Sequence, residues 1–505
     1  MENKNFEGAM ESVNLTDPVH LQESVWNYLK PHKKTAPRAH LLTINGLTYP
    51  AHKIFGFAAV PDPHEIVQKG NKFTINIPRS KRRYSMLAYL HSLRPGDLLF
   101  FFQADPQWPR DIFNRRGFRG IWIVASTPFR DTTNIKLPTG YEILGTCPNC
   151  QTPFNFGAGT LNKGKECGIC KKNYGMVTVN TSCGKKTFSR VVLSARILIK
   201  PLIVFKKTSG DNRVYGDMGV EPLIWISRTD NAMGAGKGST IRTLLPEEAS
   251  KIAYMLATED MQGIDRNVCI QKYPGNVISP IKDHNGVEVK YPRLKRQHQQ
   301  FILEHEFHLN LYFALNIDQR NNQLQRILNI NLDEVDYWTT EFPWGYTGDT
   351  SDFVLSCWDK EKGRYKVYLF EFKKDDINKA TLAEILLYTP WVARVLTQFR
   401  HETTEVEIIP VMIGRKCKLS ALPSRYNLKL PIFVENKVKL LKVNTPIVLE
   451  YEPLNVFSVN GVYYANDLNF NRVQLPIRSF TPPPLTYTTS EVEKNFISRK
   501  YLKIF

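Results

Sequence analysis

Asp352, Glu371 and Lys373 are the residues of this 505-residue chain whose types and spacing point most directly to chemistry. Glu371 and Lys373 stand two apart in VYLFEFKKDD (367–376), so they share one face of what reads as a buried strand. Burying a carboxylate beside an ammonium is costly unless something holds both. One answer is an edge strand with a surface ion pair. The other is a metal site. In GDTSDFVLSCWDKEKGRYKVYLFEFKKDD, Asp352 opens a strand, DKEKGR turns, and KVYLFEFK returns as its partner. That hairpin brings Asp352 near Glu371. Two carboxylates there can hold a hard cation, Mg²⁺ or Mn²⁺, through oxygen. The cation makes water a usable nucleophile near neutral pH. Lys373 can orient that water or stabilise charge on a phosphoryl group. Asp349 is an alternative first ligand. Lys374, Asp375 and Asp376 lie past the inward face and end the strand.

Two cysteine pairs offer a second chemistry. CPNC at 147–150 and CGIC at 167–170 are separated by 16 residues. Cys147, Cys150, Cys167 and Cys170 thus sit on two tight knuckles, an arrangement that suits tetrahedral structural Zn²⁺. Gly145 and Gly168 help the knuckles turn. Lys163, Lys165, Lys171 and Lys172, with Phe154, Phe156 and Tyr174, surround the pairs. A basic ribbon with aromatics can touch nucleic acid; a stapled insert that supports its neighbour is the competing reading. The remaining four of the eight cysteines are scattered, which is not a secreted disulfide scaffold. GAGKGST at 234–240 is not a phosphate loop: Asn231 stands where the first glycine belongs. It reads as a basic loop carrying Lys237.

The net charge is +19, from 67 Lys+Arg against 48 Asp+Glu, and favours a polyanionic partner. The basic residues come in small clusters, among them Arg115-Arg116, Lys171-Lys172 and Arg293 with Lys295 and Arg296. No apolar run reaches the roughly 20 residues that cross a bilayer, and MENKNFEGAMESVNL has no apolar signal core. A soluble, cytoplasmic protein without a membrane role is expected.

The elements that must position these residues fall into several segments. Residues 1–37 read as a loose arm with one short helix. Residues 38–260 are strand-rich, with the cysteine segment inserted at 140–188 and a helix at LPEEASKIAYMLATEDM. Residues 261–298 read as a basic connector. QQFILEHEFHLNLYFALN, from 299, has the periodicity of one amphipathic helix and opens a mixed α/β region to 435. Residues 436–505 read as a β-rich extension and tail.

Two resemblances join these segments to known families. LRPGDLLFFFQ, RRGFRGIWIVASTPF and EPLIWISRTDNAMGAGKGSTIRTLLPEEA resemble the PUA-like superfamily, in particular its EVE and YTH-related members. The resemblance implies a small β-barrel, here with an inserted zinc ribbon, whose aromatic pocket receives a modified or flipped base. Trp108, Trp122, Trp225, Phe118 and Asp230 are the candidates for that pocket. Arg115, Arg116, Arg119, Lys171, Lys172 and Lys237 are candidates for the nucleic-acid backbone.

Asp352-x18-Glu371-x-Lys373 resembles the PD-(D/E)xK nucleases, in the RecB-like and mismatch-endonuclease-like branch. This implies a restriction-endonuclease-like α/β/α domain over 299–435. It also implies a further acidic residue on the preceding helix, for which Glu304 and Glu306 stand. A Gln-x3-Tyr step belongs on the following helix; here it is Glu384-x3-Tyr388, and Ser351 replaces the proline before the first Asp. The whole is thus α+β and α/β, multidomain. The resemblances imply a Mg²⁺-dependent DNA endonuclease with a base-reading module, of the modification-dependent restriction or antiviral defence type. DNA repair and a non-catalytic nucleic-acid-binding protein are the alternatives. RNA stays open as a substrate, and a homodimer would cut both strands.

Overall fold

A computed structural model describes residues 17–29, 37–44, 46–60, 66–69, 72–75, 86–103, 117–147, 149–150, 170, 172, 176–181, 184–210, 241–259, 268, 270–275, 279–283, 285–318, 323–331, 334–344, 349–359, 363–399, 405–431 and 438–480. Mixed α and β structure, rich in strands, forms two compact units. The described residues up to Lys290 build the first, and those from Tyr291 build the second. Among the described residues, no helix is long and apolar enough to cross a membrane.

The first unit is organised by a seven-stranded sheet. Its apolar centre is Leu98–Gln103 (LLFFFQ), buried along its whole length. It runs parallel to Ala39–Ile44 and antiparallel to Gly117–Val124. A strand with no polar alternation needs cover on both faces. The start of this strand is fixed by Asp97, a buried carboxylate. It accepts bonds from the Arg38 and Arg94 amides at 2.8 and 2.9 Å and contacts His40 Nε2 at 2.9 Å. Helix Pro18–Leu29 packs its buried Leu21, Val25 and Leu29 within this unit, so part of the expected N-terminal arm belongs to the core. Its partner is helix Pro246–Glu259, whose Pro-Glu-Glu start matches the sequence reading.

The expected connector is not free either. Residues 270–283 dock on the first unit, through Gln271 N–H to Ile54 O and the Arg130–Ser279 bridge. Tyr273 is the anchor. Its hydroxyl donates to Asp131 Oδ2 at 2.5 Å and accepts from Arg196 Nη1 at 2.8 Å. Arg196 also reaches Asp131 at 3.2 Å and the carbonyls of Leu193 and Thr133 at 2.8 Å each. The guanidinium is wholly buried and lies 5.3 Å from the Phe57 ring centroid. A buried charge survives because its donors are matched one by one.

The second unit is built on one ten-stranded sheet. Val335–Trp344, Asp349–Asp359 and Arg364–Phe372 form an antiparallel meander. Helix Lys379–Phe399 then crosses over, and Glu405–Gly414 pairs parallel to Arg364–Phe372, as a crossover connection requires. Ile447–Val459 continues in parallel and hairpins with Val462–Arg472. Residues 438–443, 447–459 and 462–472 of the expected C-terminal extension are therefore part of this same sheet. So is Arg293–Gln297, expected in the connector, which pairs with Val462–Arg472 through Arg293↔Tyr464.

The expected helix from 299 divides in two. Gln300–Leu303 is a strand folded back on Arg293–Gln297, through a turn in which His298 and Gln299 both have positive φ. The helix proper is Phe307–Asn316, almost entirely buried. The apolar run QFIL satisfies a strand period as well as a helical one, and the turn decides between them.

Replacing Arg196 tests the connector lock. Arg196→Ala strands Asp131 without its cation and should lower unfolding stability by about 3–5 kcal/mol in denaturant titration. Arg196→Lys should recover only part, since an ammonium lacks the planar fork that reaches all four acceptors.

Candidate active site and metal centre

The meander sets the geometry of the acidic site. Phe353 pairs with Phe370, so Asp352 lies alongside Glu371 on the neighbouring strand. Asp352 Oδ2 accepts the Phe372 amide at 2.6 Å. Glu371 is 4% exposed, and its Oε1 accepts from Lys373 Nζ at 2.6 Å. Its other oxygen, Oε2, is buried without a partner. A buried carboxylate oxygen left this way is what a bound cation would satisfy.

Both carboxyl groups hold a proton more tightly than they would in water. Burial and then the Glu306 charge raise Asp352 well above the ordinary aspartate range. Burial and then Asp352 do the same to Glu371. Burial works against the charge on Lys373, but Glu371, Glu306 and Asp352 outweigh it and push the ammonium above the ordinary lysine value.

The surrounding helices complete the site. Glu306 stands at the N-cap of Phe307–Asn316, and its charge acts on both Asp352 and Lys373. Glu304 points elsewhere: its carboxylate is held by Arg293 Nε at 3.0 Å. Of the two acids named from the sequence, Glu306 is therefore the one whose charge acts most strongly on Asp352 and Lys373, while Glu304 pairs with Arg293. On helix Lys379–Phe399, Glu384 reaches Lys373 Nζ at 2.9 Å. The residue standing where Gln was expected therefore faces the site and holds its lysine. Tyr388, one turn on, has its hydroxyl raised by burial and then by the Glu371 charge.

Glu341 was not singled out from the sequence. Thr340 pairs with Phe353 and Phe342 with Ser351, which sets Glu341 opposite Asp352. It has φ 48°, an uncommon backbone for a residue with a Cβ, and its charge also raises Asp352. The available signal was an acid inside the strand WTTEFPW. Asp349, the alternative first ligand, lies at the strand start opposite Trp344, three residues from Asp352.

A tight loop closes the same end of the sheet. Gly414 packs where an added Cβ would meet Ile377 Cγ1 at 2.6 Å and the Asp375 carbonyl at 2.9 Å. Only a residue without a side chain lets the two loops interlock. Lys373 N–H to Ile413 O and Arg415 N–H to Asp375 O, both 2.8 Å, then fasten the segment that carries Lys373.

The cysteine site is the tighter ligand cluster. The sulfurs of Cys147, Cys150 and Cys170 all lie within 4.8 Å of one another. Among the described residues, no group of carboxylates gathers three ligand atoms as closely. Asn134 Oδ1 holds the first knuckle by accepting the Gly145 and Thr146 amides at 2.8 and 3.0 Å. An added Cβ at Gly145 would fall 2.3 Å from the Thr132 carbonyl carbon, so the knuckle rests directly on backbone. Leu144 and Val192 pack beneath Cys147. Cys167 lies outside the described residues.

No family model matches this chain, and no curated protein matches it. The functional reading therefore rests on the residues themselves.

The structure distributes the other sequence candidates unevenly. Trp122 and Phe118 are wholly buried, edge-on to Phe101 and Phe102 respectively. They pack the sheet of the first unit and offer no free ring face to a base. Arg119 is buried as well, with Nε donating to Gln103 Oε1 at 2.7 Å and its guanidinium over the Tyr49 ring. It is a core cation rather than a backbone contact. Lys172 is exposed. Trp108, Arg115, Arg116, Lys171, Trp225, Asp230 and Lys237 lie outside the described residues.

The raised aspartate gives a pH signature. Folded protein holds a proton on Asp352 more tightly than the unfolded chain does. That contribution to stability is present at low pH and is lost as pH rises from the ordinary aspartate range through the raised folded value. Asp352→Asn keeps an acceptor for the Phe372 amide and removes the charge. In chelator, thermal unfolding should show this variant above the native protein by roughly 1 kcal/mol, a few degrees, at pH 8. The gap should close towards pH 4.

Proposed function

We propose that this chain is a divalent-metal-dependent nuclease that hydrolyses phosphodiester bonds in DNA, acting as an endonuclease. One observation carries the reading. Glu371 is buried with an unpartnered oxygen beside Asp352, and the lysine two residues on is held between Glu371 and Glu384. An ordinary surface hairpin would leave such charges in water. The order of elements supports the same reading: a helix, three antiparallel strands, a crossover helix and a parallel strand, with the acids on the meander.

Asp352 and Glu371 are the residues that would hold Mg²⁺ or Mn²⁺. A cation bound there supplies Lewis-acid charge to a phosphoryl group and makes water more acidic. Lys373 is kept protonated by the carboxylates around it, so it presents a fixed positive charge to developing negative charge on phosphorus-bound oxygen. Glu384 keeps that ammonium oriented at the mouth of the site. Glu306 and Glu341 add negative charge, which raises the site's demand for a cation and leaves it poorly suited to an anionic substrate without one. The cysteine cluster, with Cys167 as its fourth thiolate, is the proposed structural Zn²⁺ centre.

Plasmid cleavage tests the reading. Native protein should nick or linearise plasmid with Mg²⁺ and not in chelator. Glu371→Ala and Lys373→Ala should each lose at least about a hundredfold in rate. Absence of Mg²⁺-dependent cleavage on any DNA, modified or unmodified, would sink the enzyme. Metal analysis of purified protein should find about one zinc per chain, and Cys147→Ser should abolish it and lower the thermal midpoint.

A further inference from the structure

The meander carries one acid on each of its three strands, all at the same level. Asp352 lies alongside Glu371, and Glu341 stands opposite Asp352. Pairing holds a single register from Thr340↔Phe353 to Phe342↔Ser351, so the strands do not slip at Glu341. The other face of the meander is identified by its contacts. Phe353, Phe370 and Phe372 pack there on Phe313 of helix Phe307–Asn316, and Thr340 and Phe342 are buried. Side chains alternate along a strand, so Glu341, Asp352 and Glu371 take the opposite face. That face belongs to helix Lys379–Phe399, whose Glu384 meets Lys373 and which also packs on Val335–Trp344.

Neighbouring strands lie about 4.8 Å apart, so the three carboxyl groups form a row across the sheet. Like charges directly opposite one another destabilise a strand pair. Lys373 relieves one end of the row, where its ammonium is taken by Glu371 Oε1 at 2.6 Å and by Glu384 at 2.9 Å. Glu371 still keeps Oε2 buried without a partner, on a side chain that is almost wholly enclosed. The row is therefore rich in acceptors at a point where a buried oxygen lacks a donor, which is the demand of a cation. Its order is long, short, long. Glu341 and Glu371 each have one methylene more than the Asp352 between them, so both can lean inwards over it and converge on one point.

We infer that Glu341 is a third carboxylate ligand of the divalent cation, completing a three-strand seat with Asp352 and Glu371. This rests on the reading of those two as cation ligands. No position of the Asp352-x18-Glu371-x-Lys373 pattern supplies the third. A site of one or two carboxylates relies on substrate phosphate to complete the coordination of Mg²⁺ or a similar ion. A third carboxylate lets this chain hold its cation before nucleic acid arrives.

Metal binding by the full chain without DNA tests the inference and needs no turnover. Native protein is titrated calorimetrically with Mn²⁺ at low and at high salt. Glu341→Gln should bind Mn²⁺ at least about tenfold more weakly. That factor should hold at both salts, because salt screens a distant charge but not a bond to the ion. Glu341→Asn suits the backbone at φ 48° and should show the same loss. Without added Mn²⁺ both variants should melt at or above native protein, since one acid opposite Asp352 is gone. With Mn²⁺ the native protein should gain more than either. Glu452→Gln, at an exposed acid of the same unit, is the charge control and should bind as native protein does. Native affinity in the Glu341 variants would overturn the third ligand and leave the nuclease reading standing. A loss that fades at high salt, or one shared by Glu452→Gln, would overturn it as well, by reducing Glu341 to general charge. Melting of both Glu341 variants well below native protein without Mn²⁺ would overturn it by making the residue structural. Mn²⁺ binding that depends on Glu341, without cleavage of any DNA, would keep the ligand and remove the nuclease.

Discussion

The carboxylates of Asp352 and Glu371 repel each other across adjacent strands, and much of the second unit keeps them together. Their register is fixed by the pairing of Phe353 with Phe370, one step away. Slipping either strand by one residue would turn one acid to the other face and bring in a phenylalanine or Ser351 instead. Behind them lies an aromatic cluster. Phe313 packs on Phe353, Phe370 and Phe372 at 4.8–5.5 Å between ring centroids, so the helix that Glu306 caps is anchored to both strands of the pair. The hydrophobic energy of that cluster offsets the desolvation of the acids. Lys373 neutralises part of the remaining charge, and Glu384 stops it from swinging out to solvent.

This arrangement separates what was legible in the sequence from what was not. The gathering of Cys147, Cys150 and Cys170 and the contact between Glu371 and Lys373 were legible because close spacing along the chain sets spacing in space. Asp352 was legible one step further, through a short turn. Glu384 was placed correctly on the following helix, although its role as the second anchor of Lys373 depends on a crossover that only the fold displays. The choice between Glu304 and Glu306 was not available, since it turns on where a strand stops and a helix starts. Two positive-φ residues, His298 and Gln299, decide that boundary. Glu341 was invisible for a related reason, because nothing near it in sequence reveals that it faces Asp352.

Burial misled the reading of the first unit in a consistent way. Trp122, Phe118 and Arg119 have the composition of a nucleic-acid pocket, flat rings with a cation. The same composition builds a core when the cation meets a buried amide, as Arg119 does with Gln103. Arg196 repeats the pattern with Asp131, Tyr273 and Phe57. A high positive charge therefore does not translate directly into positive surface, because some of the arginines here are structural.

The strand Arg293–Gln297 opens the second unit, yet its partner on the main sheet is Val462–Arg472, reached more than 160 residues later. On the ribosome, the meander and its crossover helix would emerge and could begin to pack well before that partner exists. Closing so long a loop is slow compared with forming the local hairpins. The acidic residues would come together first, and the Arg293–Leu303 hairpin would be fastened last, when the Ile447–Arg472 hairpin arrives with Tyr451. Order of synthesis thus separates the gathering of the acidic residues from the closing of the sheet's edge until nearly all of the chain has been made.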